Sequence, residues 1–182
     1  MKKLFAIAAM CCMLSIAALA QATTPDFSGT WTLDVSKSKL DDRSRVESMT
    51  LTVTQTAKDI KIDTKTTRVP RPEGAGGGMG GGGRRGGGFG GDSVMTYTLD
   101  GKTTTIQQES QMGPIPVSLT GKLDGGTLNL SSSRTFNGPN GEVTATTKDT
   151  WTLSSDGKTL TVNRESQTPR GANSSTMVFV KK

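Results

Sequence analysis

Downstream of residue 22 the chain alternates apolar and polar residues with a period of two, and turn signals such as Asp-Gly and Asn-Gly separate the runs. That pattern is expected of half-buried strands joined as hairpins. It predicts ten strands: Ser28–Asp34, Glu47–Thr56, Asp59–Val69, Ser93–Leu99, Lys102–Ser110, Ile115–Leu123, Thr127–Phe136, Val143–Leu153, Thr159–Gln167 and Ser175–Lys181. No long amphipathic helix interrupts them. Only Ser36–Arg45 has room for a short helical turn.

The alternation also predicts register, because directly opposed residues must share a face. A two-residue turn at Asp100-Gly101 pairs Tyr97 with Thr104 and Met95 with Ile106, and one at Asp124-Gly125 pairs Leu119 with Leu130. Later loops set Phe136 against Val143, Leu128 against Trp151, Leu153 against Leu160 and Trp151 against Val162. Apolar faces coincide in each hairpin, so one face is buried and the other, rich in Thr and Lys, meets water. The expected fold is all-β, an antiparallel up-and-down barrel of about eight to ten strands, since closure removes aggregation-prone edges. A β-sandwich is the alternative. Inward Thr64, Gln108 and Ser132 predict a hollow, wet interior, which several hundred cubic ångströms of cavity would make a ligand site.

One segment breaks the pattern. In Gly74–Gly91, 13 of 18 residues are glycine, with Arg84-Arg85 among them. Such a stretch buries too little surface to offset its backbone entropy, which predicts a disordered insert within one hairpin. It is no nucleotide loop, because strands flank it on both sides where a phosphate loop needs a following helix.

The opening residues have a different character. Lys2-Lys3, the apolar run Leu4–Ala20 and the small-x-small sequence Ala20-Gln21-Ala22 predict a signal peptide over residues 1–22. The mature chain is then one domain, 23–182, periplasmic or secreted, with no transmembrane segment. Cys11 and Cys12 leave with the leader, and removal of Lys2 and Lys3 takes two charges from the formal +6.

The chain contains no histidine. Nucleophilic triads and His- or Cys-based zinc sites are excluded in the mature chain, and no spaced acidic loop offers calcium its ligands. No catalytic residue, metal or cofactor is expected, and binding is favoured over catalysis.

Phe27-Ser28-Gly29-Thr30-Trp31-Thr32-Leu33-Asp34 resembles the opening strand of lipocalin-like proteins, and Trp151–Leu160 resembles the penultimate hairpin of secreted bacterial members of that calycin group. The two stretches cover about a quarter of the mature chain. The resemblance implies that Trp31 plugs the closed end of a ligand-holding barrel. The chain departs from many lipocalins in lacking a Thr-Asp-Tyr motif and a disulfide, and ten strands is closer to the fatty-acid-binding branch.

Arg134, Asp149 and Arg164 form the sharpest constellation, falling on the same parity as Leu130, Trp151 and Val162, with Asp149 opposite Arg164. A charge on an inner face is costly unless it is paired or lies in a wet cavity. Fatty-acid-binding barrels hold a carboxylate with interior arginine, so the resemblance makes this a candidate site for a ligand's anionic group. The alternative places the three residues at an open rim or on an outward face. The expected function is binding of a small hydrophobic or amphiphilic molecule. The competing reading is an interaction module with a solid barrel, whose Arg84 and Arg85 contact a partner or polyanion. Export makes nucleic acid an unexpected partner.

Overall fold

The structure is a computed structural model describing residues 24–41, 44–70, 92–109, 113–138, 141–169 and 171–182. The predicted leader 1–22 and the glycine-rich segment with Arg84 and Arg85 lie outside the described residues.

Ten strands follow in chain order: β1 Gly29–Leu33, β2 Val46–Gln55, β3 Asp59–Arg68, β4 Ser93–Thr98, β5 Asp100–Gln108, β6 Ile115–Asp124, β7 Thr127–Gly138, β8 Gly141–Leu153, β9 Thr159–Thr168 and β10 Gly171–Lys181. Between β1 and β2 lies a 3-10 turn, Val35–Lys37, whose Asp34 cap accepts a hydrogen bond from the Lys37 N–H. All ten strands belong to one antiparallel sheet in the order β4-β3-β2-β1-β10-β9-β8-β7-β6-β5. Because β1 pairs with β10, the sheet wraps into a barrel, and the sandwich alternative is set aside. Its seam falls between two consecutive strands, β4 and β5, where no ladder forms among the described residues.

Here the structure corrects the expected Tyr97–Thr104 hairpin. The Leu99 N–H bonds the Lys58 carbonyl at 2.7 Å, while Asp100 pairs with Lys122 on β6, so adjacent residues are drawn to opposite neighbours. Asp100-Gly101 then forms a bulge on β5 rather than a hairpin turn. Gly121 lets β4 lean onto β6 instead. A Cβ at that position would stand 2.7 Å from the Thr98 carbonyl oxygen and 2.9 Å from Tyr97 Cβ, so no other residue fits without a shift.

A second correction is smaller. Asp124 pairs with Thr127, so the β6–β7 turn is centred on Gly125-Gly126, and Leu119 faces Ser132 rather than Leu130. Slipping by two residues keeps every side chain on its face. Strand β10 also begins at Gly171 rather than at Ser175. Later registers follow the alternation: Phe136–Val143 and Leu128–Trp151, then Trp151–Val162 and Leu153–Leu160.

The core fills one end of the barrel. Phe27, Trp31, Ile60, Leu128, Leu160 and Phe179 are all fully buried there. The chain before β1 crosses this end and is held by Gln55, whose Oε1 accepts from the Phe27 N–H and whose Nε2 donates to the Pro25 carbonyl, each at 3.0 Å. Trp31 donates its indole N–H to the Phe27 carbonyl at 2.9 Å. Over its ring lies Lys181 Nζ, 5.1 Å from the centroid. Gly29 makes room for that contact: its φ is +129°, and a Cβ there would meet Lys181 Cε at 2.8 Å.

Candidate functional site

Above the packed end, register-opposed residues on β7, β8, β9 and β10 form successive rows across the inner wall. The first is Leu128, Trp151, Val162 and Met177; the next is Leu130, Asp149, Arg164 and Ser175. Beyond it Ser132 faces Thr147, and Arg134 faces Ala145 on one side and Val117 on the other. The inward parity that buries leucines lower down thus delivers polar side chains here.

These rows line a cavity with about 70 Å³ open to the centres of water molecules. Its wall combines Met49, Leu51, Met177 and Phe179 with Ser132, Arg134, Thr147, Asp149 and Arg164. Thr64, Ser93 and Gln108 complete it toward the end where β3 leaves the barrel and β4 returns. The three expected site residues are therefore brought together in one cavity with the expected Thr64, Gln108 and Ser132. The open volume is far below the several hundred cubic ångströms that a roomy ligand barrel encloses.

Asp149 and Arg164 form a bidentate ion pair, with Arg164 Nε on Oδ1 at 2.7 Å and Nη2 on Oδ2 at 2.6 Å. Their side chains are 10% and 26% exposed. Burial works against the Arg164 charge, but the Asp149 carboxylate and its hydrogen bonds outweigh it and hold the guanidinium above its ordinary pKa. Arg134 shows the opposite balance: burial lowers its pKa.

Sequence reasoning placed Tyr97 inward but not in this cluster. Its hydroxyl lies 3.3 Å from Met95 Sδ, and its pKa is pushed up to about 12, first by burial and then by the nearby Asp149 charge. Thr147 was also missed, although parity along β8 puts it in phase with Asp149 and Trp151. Two side-chain atoms in this wall, Trp151 Nε1 and Thr147 Oγ1, are buried without a hydrogen-bond partner among the described residues. The described residues hold no group of three metal-ligating side chains, and no helix is long and apolar enough to cross a membrane.

No family model matches the chain, and no curated protein does. Among solved structures it is similar to the zebrafish ileal bile acid-binding protein complexed with cholic acid, at 14% identity and a TM-score of 0.47, covering 86% of this chain and 98% of that one. It is also similar to the wild-type fluorescent protein UnaG, at 10% identity and a TM-score of 0.46, covering 86% and 97%. Neither likeness adds a residue or a ligand to the site, which stands on its own geometry.

Proposed function

We propose that this protein is an exported binding protein that holds a small, partly apolar, anionic molecule inside its barrel and performs no chemistry on it. The observation carrying this reading is the mixed wall of the cavity, with methionine, leucine and phenylalanine surfaces beside Arg134 and the Asp149–Arg164 pair. Within that pair the charges compensate each other through two short hydrogen bonds. Arg134 lines the same cavity and is the cation assigned to the ligand's carboxylate or phosphate. A charge-assisted bond of that kind contributes roughly 1.5–3 kcal/mol.

Native mass spectrometry of protein purified from its own host tests the reading. A small molecule should travel with the wild type and be largely lost from Arg134→Ala, whose melting temperature should change little. An empty barrel in both proteins, with no anion binding in titration, would end it. The modest cavity favours a second reading, an interaction module in which the segment with Arg84 and Arg85 contacts a partner or polyanion. Export is tested by N-terminal sequencing, with Thr23 the expected first residue.

A further inference from the structure

We infer that the protein forms a two-fold dimer in which the free edge of β5 pairs antiparallel with β5 of a second copy. Three observations carry it: the open seam, the composition of β5 and the charges at its two ends. It goes beyond the binding reading and does not depend on it.

The seam leaves β4 and β5 as the end strands of the sheet, each with one side that forms no ladder among the described residues. The two edges are not alike. On β4, Tyr97 is buried, and the lack of a side chain at Gly121 lets the strand lean onto β6. Strand β5 has no buried residue. Thr103, Thr105 and Gln107 are exposed, and even the inward Thr104, Ile106 and Gln108 are only half-buried.

Unpaired backbone groups on such an edge are a template for another strand, and proteins blunt them with charge, proline or a bulge. β5 is blunted only at its start, by Lys102 and the bulge between Asp100 and Thr103. From there the run is Thr103-Thr104-Thr105-Ile106-Gln107-Gln108, without charge, proline or glycine. Four of its six residues are β-branched. An uncharged, strand-favouring hexapeptide on a free edge is suited to pairing with its own copy.

The end charges set the direction. Lys102 precedes the run and Glu109 follows it, and both are exposed. An antiparallel copy brings the Lys102 end of each strand beside the Glu109 end of the other, twice by symmetry. A parallel copy would set like charges together. With the two-fold axis at Thr105, Thr104 lies opposite the second copy's Ile106, so the half-buried inner faces of the two strands become continuous. Such a contact is isologous and closes at two copies, whereas β5 against β4 of the next copy would be head-to-tail.

Sedimentation equilibrium at low ionic strength tests this, with charge reversal at the two ends. The wild type should show a monomer–dimer equilibrium. Raising its concentration should slow amide exchange in residues 103–108 but not in residues 93–98. Glu109→Lys sets like charges together at both ends of the pair and should weaken the dimer at least about fivefold. Adding Lys102→Glu restores opposite charges and should return the affinity toward that of the wild type. Both side chains are exposed, so melting temperatures at dilute concentration should change little. A monomer at every concentration, a dimer indifferent to Glu109→Lys, or no recovery in the double variant overturns the proposal. Species that grow beyond two copies overturn it as well, in favour of head-to-tail pairing with β4.

Discussion

At the packed end of the barrel, Leu33, Phe179, Leu160 and Leu153 cross four strands in one register row made of hydrocarbon alone. Two inward-facing positions further along, three of those strands, β8, β9 and β10, present Asp149, Arg164 and Ser175, with Leu130 beside them on β7. Backbone, alternation and inward orientation are common to both rows; only the side chains differ. The lower row is stabilised simply by leaving water. The upper row gains nothing that way, since burying a carboxylate and a guanidinium is costly until each satisfies the other. A barrel wall built for stability alone would continue the lower pattern upward, and the break from it is what singles out the cavity as the candidate site.

The largest test of this contrast is at the packed end. Trp31→Ala removes a fully buried indole, the Phe27 hydrogen bond and the Lys181 contact together. The expected loss is about 3–5 kcal/mol, enough to unfold a domain of ordinary stability. Denaturant unfolding measures it, and a loss below about 1 kcal/mol would contradict the packing described.

In the upper row, Asp149→Ala should cost about 3 kcal/mol, at the lower edge for a broken buried pair because Arg164 keeps access to the cavity. A double-mutant cycle with Arg164→Ala should recover part of the loss, since the second change removes the stranded charge. Additive losses would mean that the two side chains do not act as a pair.

How much of this was legible beforehand depends on where along the sheet one looks. From Thr127 to Leu160, alternation fixed the register, because the hairpins there are regular, with large apolar residues at both ends of the β7–β8 ladder and at the turn end of the β8–β9 ladder. That alone places Asp149 opposite Arg164. The seam was not legible. A run of Asp100-Gly101 between two alternating segments reads as a two-residue hairpin. What diverts it is a pair of nonlocal bonds, Leu99 to Lys58 and Asp100 to its β6 partner, together with the closeness that Gly121 permits. None of these carries a local signal. The β6–β7 slip arose because Asp-Gly competes with the following Gly-Gly as turn centre. Cavity size was illegible for another reason: inward polar residues reveal a wet wall, not how closely the walls approach.

Tyr97 lies between the two regions, opposite the fully buried Ile60 in register yet lining the cavity, and its titration gives the smallest and most specific test. It is the only tyrosine in the chain, so phenolate absorbance reports on it alone. Its pKa in the folded protein is about 12 against an ordinary 10.0. A raised pKa means that the fold favours the protonated phenol. That contribution is fully present below about pH 10 and is lost as pH rises toward about 12, because the unfolded chain gives up its proton first. The decline should run at about 1.4 kcal/mol per pH unit, to no more than about 2–3 kcal/mol in total. Denaturant midpoints measured across that window should fall less steeply in Tyr97→Phe than in the wild type. A phenolate midpoint near the ordinary value would put the ring in water and detach it from the cavity. Asp149→Asn then separates the two causes. Burial should persist, while loss of the carboxylate charge, with Arg164 left in place, should bring the midpoint part of the way down. A midpoint unmoved by that substitution would leave burial as the sole cause and remove Tyr97 from the electrostatics of the Asp149–Arg164 row.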